Sequence, residues 1–113
     1  MTTIERKGHT LLRFIEEFRK YQPNIESTAI SVFLVVALHD NGKEGIPMQF
    51  IADKLNIAQS SVSRNVTKFL RMERNKDTRM GFLESYEDPH ERRRKLVRLS
   101  KRGWMLFEDI SRS

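Results

Sequence analysis

Cysteine does not occur anywhere in the 113 residues. Its absence excludes disulfide staples, thiolate metal sites, cysteine nucleophiles and thiol-oxidation switches. Long hydrophobic runs are missing as well. The longest, AISVFLVVAL at 29–38, has ten residues, against about 20 for a bilayer-spanning helix. It reads as a buried helix. The opening MTTIERKGH carries no apolar stretch of the secretory kind. A cytoplasmic protein with no membrane partner is the expectation. Histidine is scarce: His9, His39 and His90 fall in three different elements and no pair has metal-ligand spacing. No metal site is expected. There is no glycine-rich phosphate loop, and Glu16-Glu17 reads as solvated helix surface. Ser60, Ser61 and Ser63 stand close together with no base nearby in sequence. Neither catalysis nor a cofactor is expected.

Positive charge, by contrast, is abundant and localised. The net charge is +6. Residues 1–58 hold seven Lys/Arg and seven Asp/Glu, whereas residues 59–103 hold thirteen and six. Almost all the excess lies in one continuous segment, as expected of a chain with a polyanion partner. The length suits one domain, and a hydrophobic fraction of 38% supports one modest core.

Periodicity orders the elements. Leu11, Phe14, Ile15 and Phe18 recur three and four apart, which predicts an amphipathic helix over 1–22, ended by Tyr21-Gln22-Pro23. Its apolar side could pack on the domain core or on a second copy. A second helix is predicted over 26–40, capped by Asn24 or Ser27, apolar nearly all round and therefore central. GIPM at 45–48 has room only for a short extended piece. Helices at about 49–56 and 59–71 follow, with Asn56 in the tight turn between them, where a left-handed residue is needed. Residues 73–81 read as a loop or a frayed helix end. FLESYED and KLVRLS read as two strands joined by a polar turn at 88–94. Ser100 caps a last short helix bearing Trp104, Leu106, Phe107 and Ile110.

The predicted fold is mainly α (α+β), a winged helix–turn–helix. A tri-helical core carries a two-stranded β-wing, with N-terminal and short C-terminal helices added. The chain is one domain over 1–113, with the helix–turn–helix at 48–71, the wing at 82–99 and the last helix at 100–113. In FIADKLNIAQSSVSRNVTKFL, residues 50–70, the apolar Ile51, Leu55, Ile57, Val62, Val66 and Phe69 pack two short helices together. Gln59, Ser60, Ser61, Ser63, Arg64, Asn65, Thr67 and Lys68 are left for the outer face of the second helix. That set suits DNA: hydroxyls and amides for phosphates and base edges, Gln for adenine, Arg for guanine. The other reading is an ordinary solvated helix face. At the hairpin tip stand Arg92, Arg93, Arg94 and Lys95, and arginine on a projecting ribbon is attracted to the narrow minor groove.

DPHERRRKLVRLSKRG, 88–103, resembles the wing of the MarR family of bacterial winged-helix regulators. Asp88-Pro89, Arg92-Arg93, Leu99-Ser100 and Gly103 match that pattern, and SSVSRNVTKF is similar to the family's recognition helix. The chain resembles a short, C-terminally truncated member. Family members typically continue with a long helix where this sequence ends at Ser113. The resemblance implies a DNA-binding transcriptional regulator, a repressor more readily than an activator. Its recognition helix would lie in the major groove and its wing in the minor groove. It implies a homodimer, an inverted-repeat operator, and a small aromatic or phenolic effector. It also implies that Arg93 is the minor-groove arginine, braced by an acid two residues earlier, here Glu91. Two further departures stand out: extra residues at 72–80, and Ala58 where a capping Ser or Thr is common. The alternatives are a winged-helix accessory factor of phage or plasmid type that binds protein, and a replication-initiator-type DNA binder.

Overall fold

The structure, a computed structural model, describes residues 2–42, 44–70 and 80–112. α1 (Thr3–Arg19) starts at Thr2, whose hydroxyl accepts the Glu5 N–H at 3.1 Å, an N-cap of the usual kind. Phe14 and Phe18 turn inward, while Ile4, Leu11, Leu12 and Ile15 stay exposed. α2 (Ser27–His39) is the central helix, with Ala29, Val32, Phe33, Val35, Val36 and Ala37 buried. Leu38 is an exception at 70% exposure. The expected cap at Asn24 or Ser27 is absent: Glu26 occupies the N-cap position with no side-chain bond, and Ser27 is the first helical residue.

The chain then makes β1 (Ile46–Pro47) and enters α3 (Met48–Leu55) directly. Asn56 ends α3 in the left-handed region, φ 54° and ψ 50°, as its side chain tolerates. Ile57 donates its N–H to the Ala52 carbonyl at 3.0 Å, which closes the turn. α4 (Gln59–Thr67) begins at Ala58, whose backbone is extended and which offers no cap. The helix is shorter than the predicted 59–71. Lys68 and Phe69 donate to carbonyls three residues back, and this tighter turn closes the element. The expected loop at 73–81 lies outside the described residues up to residue 79; Met80 is fully buried.

β2 (Leu83–Glu87) and β3 (Lys95–Leu99) form the hairpin, in register Leu83↔Leu99, Ser85↔Val97 and Glu87↔Lys95. The sheet has three strands, the two of the wing and the short extended piece expected at 45–48. β1 pairs with the other edge of β3 through Ile46↔Val97 and Pro47↔Leu96, giving the order β1-β3-β2. Proline lacks a ladder donor, so its place on an edge strand follows. α5 (Lys101–Arg112) is capped as predicted: Ser100 Oγ accepts the Gly103 N–H at 3.0 Å. α5 lies along α1, with Phe14 and Phe107 ring centroids 5.7 Å apart and Arg13 3.3 Å from Asp109.

The core is aromatic at its centre. Phe18 is fully buried, and its ring meets those of Phe33, Phe69 and Phe82 at 4.9, 5.3 and 6.0 Å. These four rings come from α1, α2, the end of α4 and the start of the wing. Such pairs add to simple burial, so the wing's root is fixed by the same cluster that holds the helices. No described helix is long and apolar enough to cross a membrane.

Candidate nucleic-acid interface

α4 presents a polar outer face because its apolar stripe, Val62 and Val66, turns inward. Gln59, Ser60, Arg64 and Thr67 are exposed; Ser61, Ser63 and Lys68 are half-buried. Asn65 departs from the expectation. It is only 7% exposed, because it follows Val62 by three residues and so falls on the inward stripe. Its Nδ2 donates to the Ser61 carbonyl at 2.9 Å, and its Oδ1 has no partner among the described residues. A side chain so placed shapes the helix rather than reading a base. Thr67 likewise turns its hydroxyl to the Ser63 carbonyl at 2.9 Å. Arg64 reaches back to the Ser61 hydroxyl at 3.5 Å. At the other end, the uncapped first turn of α4 leaves N–H groups unmatched, and these favour an anion.

The wing tip is organised by Asp88, which is 9% exposed. Its N–H donates to the Arg94 carbonyl at 2.8 Å, and the Arg94 N–H donates to the Glu91 carbonyl at 2.9 Å. Asp88 Oδ1 accepts the His90 N–H at 2.9 Å, and Oδ2 lies 3.7 Å from Arg94 Nε. The expected brace of Glu91 on Arg93 is therefore not what the tip contains. Among the described residues no ion pair joins these two, and the acid-to-arginine contact runs from Asp88 to Arg94 instead. The tight turn accounts for this, since it sets Asp88 and Arg94 opposite each other at the last rung. Residues 91–95 are all exposed, and Arg92, Arg93 and Lys95 pair with no carboxylate among the described residues. Arg98, one turn of the pleat further down, differs. Its guanidinium bonds Glu84 at 3.2 Å and lies 4.7 Å over the Tyr86 ring. The Glu84 carboxylate raises its pKa above the usual value, and it does not belong to the unpaired set.

Helix and wing converge on one cleft of about 250 Å³. Met48 and Gln49 line it from the start of α3, Gln59 from the start of α4, and Glu91, Arg93, Arg94 and Lys95 from the wing. The first turn of α4 and the arginine-bearing tip thus share a face. Gln49, held by a 2.8 Å bond to Asp53, is not among the residues that the sequence singles out. Nor are Glu26 and Thr28, at the start of α2. These line a second cleft of about 270 Å³ with Ser61, Arg64, Asn65 and Lys68. No local sequence signal marks Gln49, Glu26 or Thr28, because only the packing of α2 and α3 against α4 brings them to this face. Among the described residues, no three His, Cys, Asp or Glu gather as a metal site would require.

No protein-family model matches the sequence, and no curated protein matches it. Solved structures do match the fold. The MepR–DNA complex of S. aureus superposes with a TM-score of 0.62 at 19% identity, over 96% of this chain and 79% of that one. A mutant MepR from a multidrug-resistant S. aureus clinical isolate gives 0.59 at 22% identity, over 88% of this chain; the match spans 61% of its length. A MarR-family transcriptional regulator from Rhodococcus sp. RHA1 gives 0.58 at 20% identity, over 96% of this chain and 68% of that one. This chain has the winged-helix fold that these regulators share.

Proposed function

We propose that the chain is a MarR-type transcriptional regulator that binds double-stranded DNA in a sequence-specific manner, most simply as a repressor that occludes a promoter. The observation that carries this reading is the shared cleft, lined by Gln59 of α4 and by Arg93, Arg94 and Lys95 of the wing. In this reading α4 enters the major groove, where Gln59, Ser60, Ser61, Ser63 and Arg64 meet base edges and phosphates. Lys68 contacts the backbone, and the tip residues Arg92, Arg93, Arg94 and Lys95 reach the minor groove or its phosphates. A DNA complex of a protein with the same fold supports the assignment. Function as a homodimer is part of the proposal. Ile4, Leu11, Leu12 and Ile15 of α1 and Met105 of α5 are exposed apolar side chains of the kind that a second copy covers. Half-sites would then lie about one helical turn apart, in inverted repeat. An aromatic or phenolic effector belongs to the same proposal, on the resemblance alone.

Selection of bound duplexes from a random pool tests the reading, followed by a salt titration on the selected site. With Lys68 and the four tip cations on phosphates, log affinity should fall by about 0.9 per contact for each tenfold rise in salt. Arg93→Ala should flatten that slope by about one contact, while Arg64→Ala should change which sequences are selected. A pool that yields no enriched sequence, together with affinity indifferent to salt, would refute the proposal.

A further inference from the structure

α2 ends at Asp40, whose carboxylate is buried and bonded at both oxygens. The residue is 9% exposed. Oδ1 accepts the Gly42 N–H at 2.7 Å, which turns the chain out of α2. Oδ2 accepts the N–H of Leu99, 59 residues away, also at 2.7 Å. Bonds of this length to a carboxylate are of the strong, charge-assisted kind.

Their location gives them a consequence for the wing. Leu99 is the last residue of β3, and one edge of β3 is covered by only two residues of β1, Ile46 and Pro47. Antiparallel continuation of that pairing would set residue 44 against Leu99, but the strand has already ended at Ile46. The Asp40 carboxylate supplies the acceptor that β1 lacks there. It therefore links the end of the central helix to the base of the strand that carries the arginine tip. From Leu99 to Lys95 the strand runs about 14 Å. A swing of about 10° at the base would displace Lys95 by about 2 Å, more than a contact constellation tolerates.

We propose that Asp40 is a positioning residue for DNA binding: it sets the angle of the wing against α4 without touching DNA itself. The inference rests on the DNA-binding reading for its functional half, and on geometry alone for its structural half. The two halves are tested separately. Asp40→Asn keeps the shape but presents an NH₂ group to one of two N–H donors, so one bond is lost.

The absence of cysteine allows spin labels to be placed at will, at Lys54→Cys on α3 and His90→Cys on the tip. Without any DNA, pulsed electron resonance should give one narrow distance distribution for the parent and a broadened or displaced one for Asp40→Asn. An unchanged distribution overturns the proposal, whatever DNA does. If Asp40→Asn fails to give a cooperative melt, Asp40→Glu takes its place. It keeps both acceptors on a stem longer by one methylene and should shift the mean distance; an unmoved mean overturns the proposal equally.

The second measurement is a pair of double-mutant cycles on the selected duplex, without labels. Asp40→Asn should weaken binding about tenfold, which is about 1.4 kcal/mol. Arg93→Ala should cost several-fold less on that background than on the parent, while Arg64→Ala costs the same on both. Full additivity in both cycles removes the functional half. A parent protein that binds no duplex would instead remove the DNA-binding reading, and the distance measurement would still decide whether Asp40 sets the wing.

Discussion

Gly45→Ala offers a sharp test of how the wing is held. Gly45 stands just before β1 at φ +78°. A Cβ there would lie 2.7 Å from the Val97 carbonyl oxygen and 3.1 Å from the Tyr86 hydroxyl oxygen. The oxygen of Val97 belongs to the central strand and cannot retreat without moving β3. Two costs combine. The positive φ costs an alanine about 1 kcal/mol, and forcing backbone apart to admit the methyl costs about 1–3 kcal/mol more. For a chain of this length, about 1 kcal/mol corresponds to about 4 °C in melting temperature. The expected drop is therefore about 8–16 °C. Gly42→Ala is the internal control. Gly42 has φ +79° but nothing within 4 Å of the added carbon, so it should lose only about 4 °C from the dihedral. Both are measured by circular dichroism melts at one protein concentration, since self-association would shift the midpoint. Equal losses at the two positions would refute the claim that close approach of the chain to β3 requires glycine at 45.

Two further outcomes follow from the core and the caps. Ala58→Ser should raise stability by about 1 kcal/mol, because residue 58 already has the extended backbone of an N-cap, φ −68° and ψ 147°, with no side-chain acceptor; urea denaturation with an unchanged slope would check it, and no gain would contradict it. Phe18→Ala removes the ring shared by four elements and should cost about 3–5 kcal/mol, enough to unfold much of the population at 37 °C if total stability is near the lower end for such domains; a loss below about 1 kcal/mol in the same assay would mean that the aromatic cluster is not the centre of the core.

The order of elements was legible because each carries its own local signal. Alternation marked β2 and β3, three-and-four spacing marked α1, and Asn56 marked the turn. Ser100 was legible as a cap for the same reason. The burial of Asn65 was also written in the spacing, three after Val62 and four before Phe69, but its polar character outweighed its position. Other features had no local signal. The Asp40–Leu99 bond spans 59 residues. The short strand itself was legible at 45–48, but its pairing with β3 was not, since two residues, one of them proline, carry no alternation that shows which strand they join. The pairing of Asp88 with Arg94, in place of Glu91 with Arg93, follows from where the turn closes, and four consecutive basic residues give no hint of which one faces an acid. At the start of α2, Glu26 holds the N-cap position although Ser27 is the better-suited residue type. A cap position depends on where the chain bends into the helix, and not only on which residue could serve.

The pairing of β1 with β3 encloses both helices of the helix–turn–helix within a single closed loop of chain, from Ile46 to Val97. Ring-closure entropy grows only with the logarithm of length. Doubling the length of this loop would add only about 0.6 kcal/mol to the cost of shutting it. The stability of the closure therefore depends on the strand pairing at its base far more than on the number of residues it encloses. The pose of α4 against the wing is fixed where the loop is closed, not by the length of the segment that connects them.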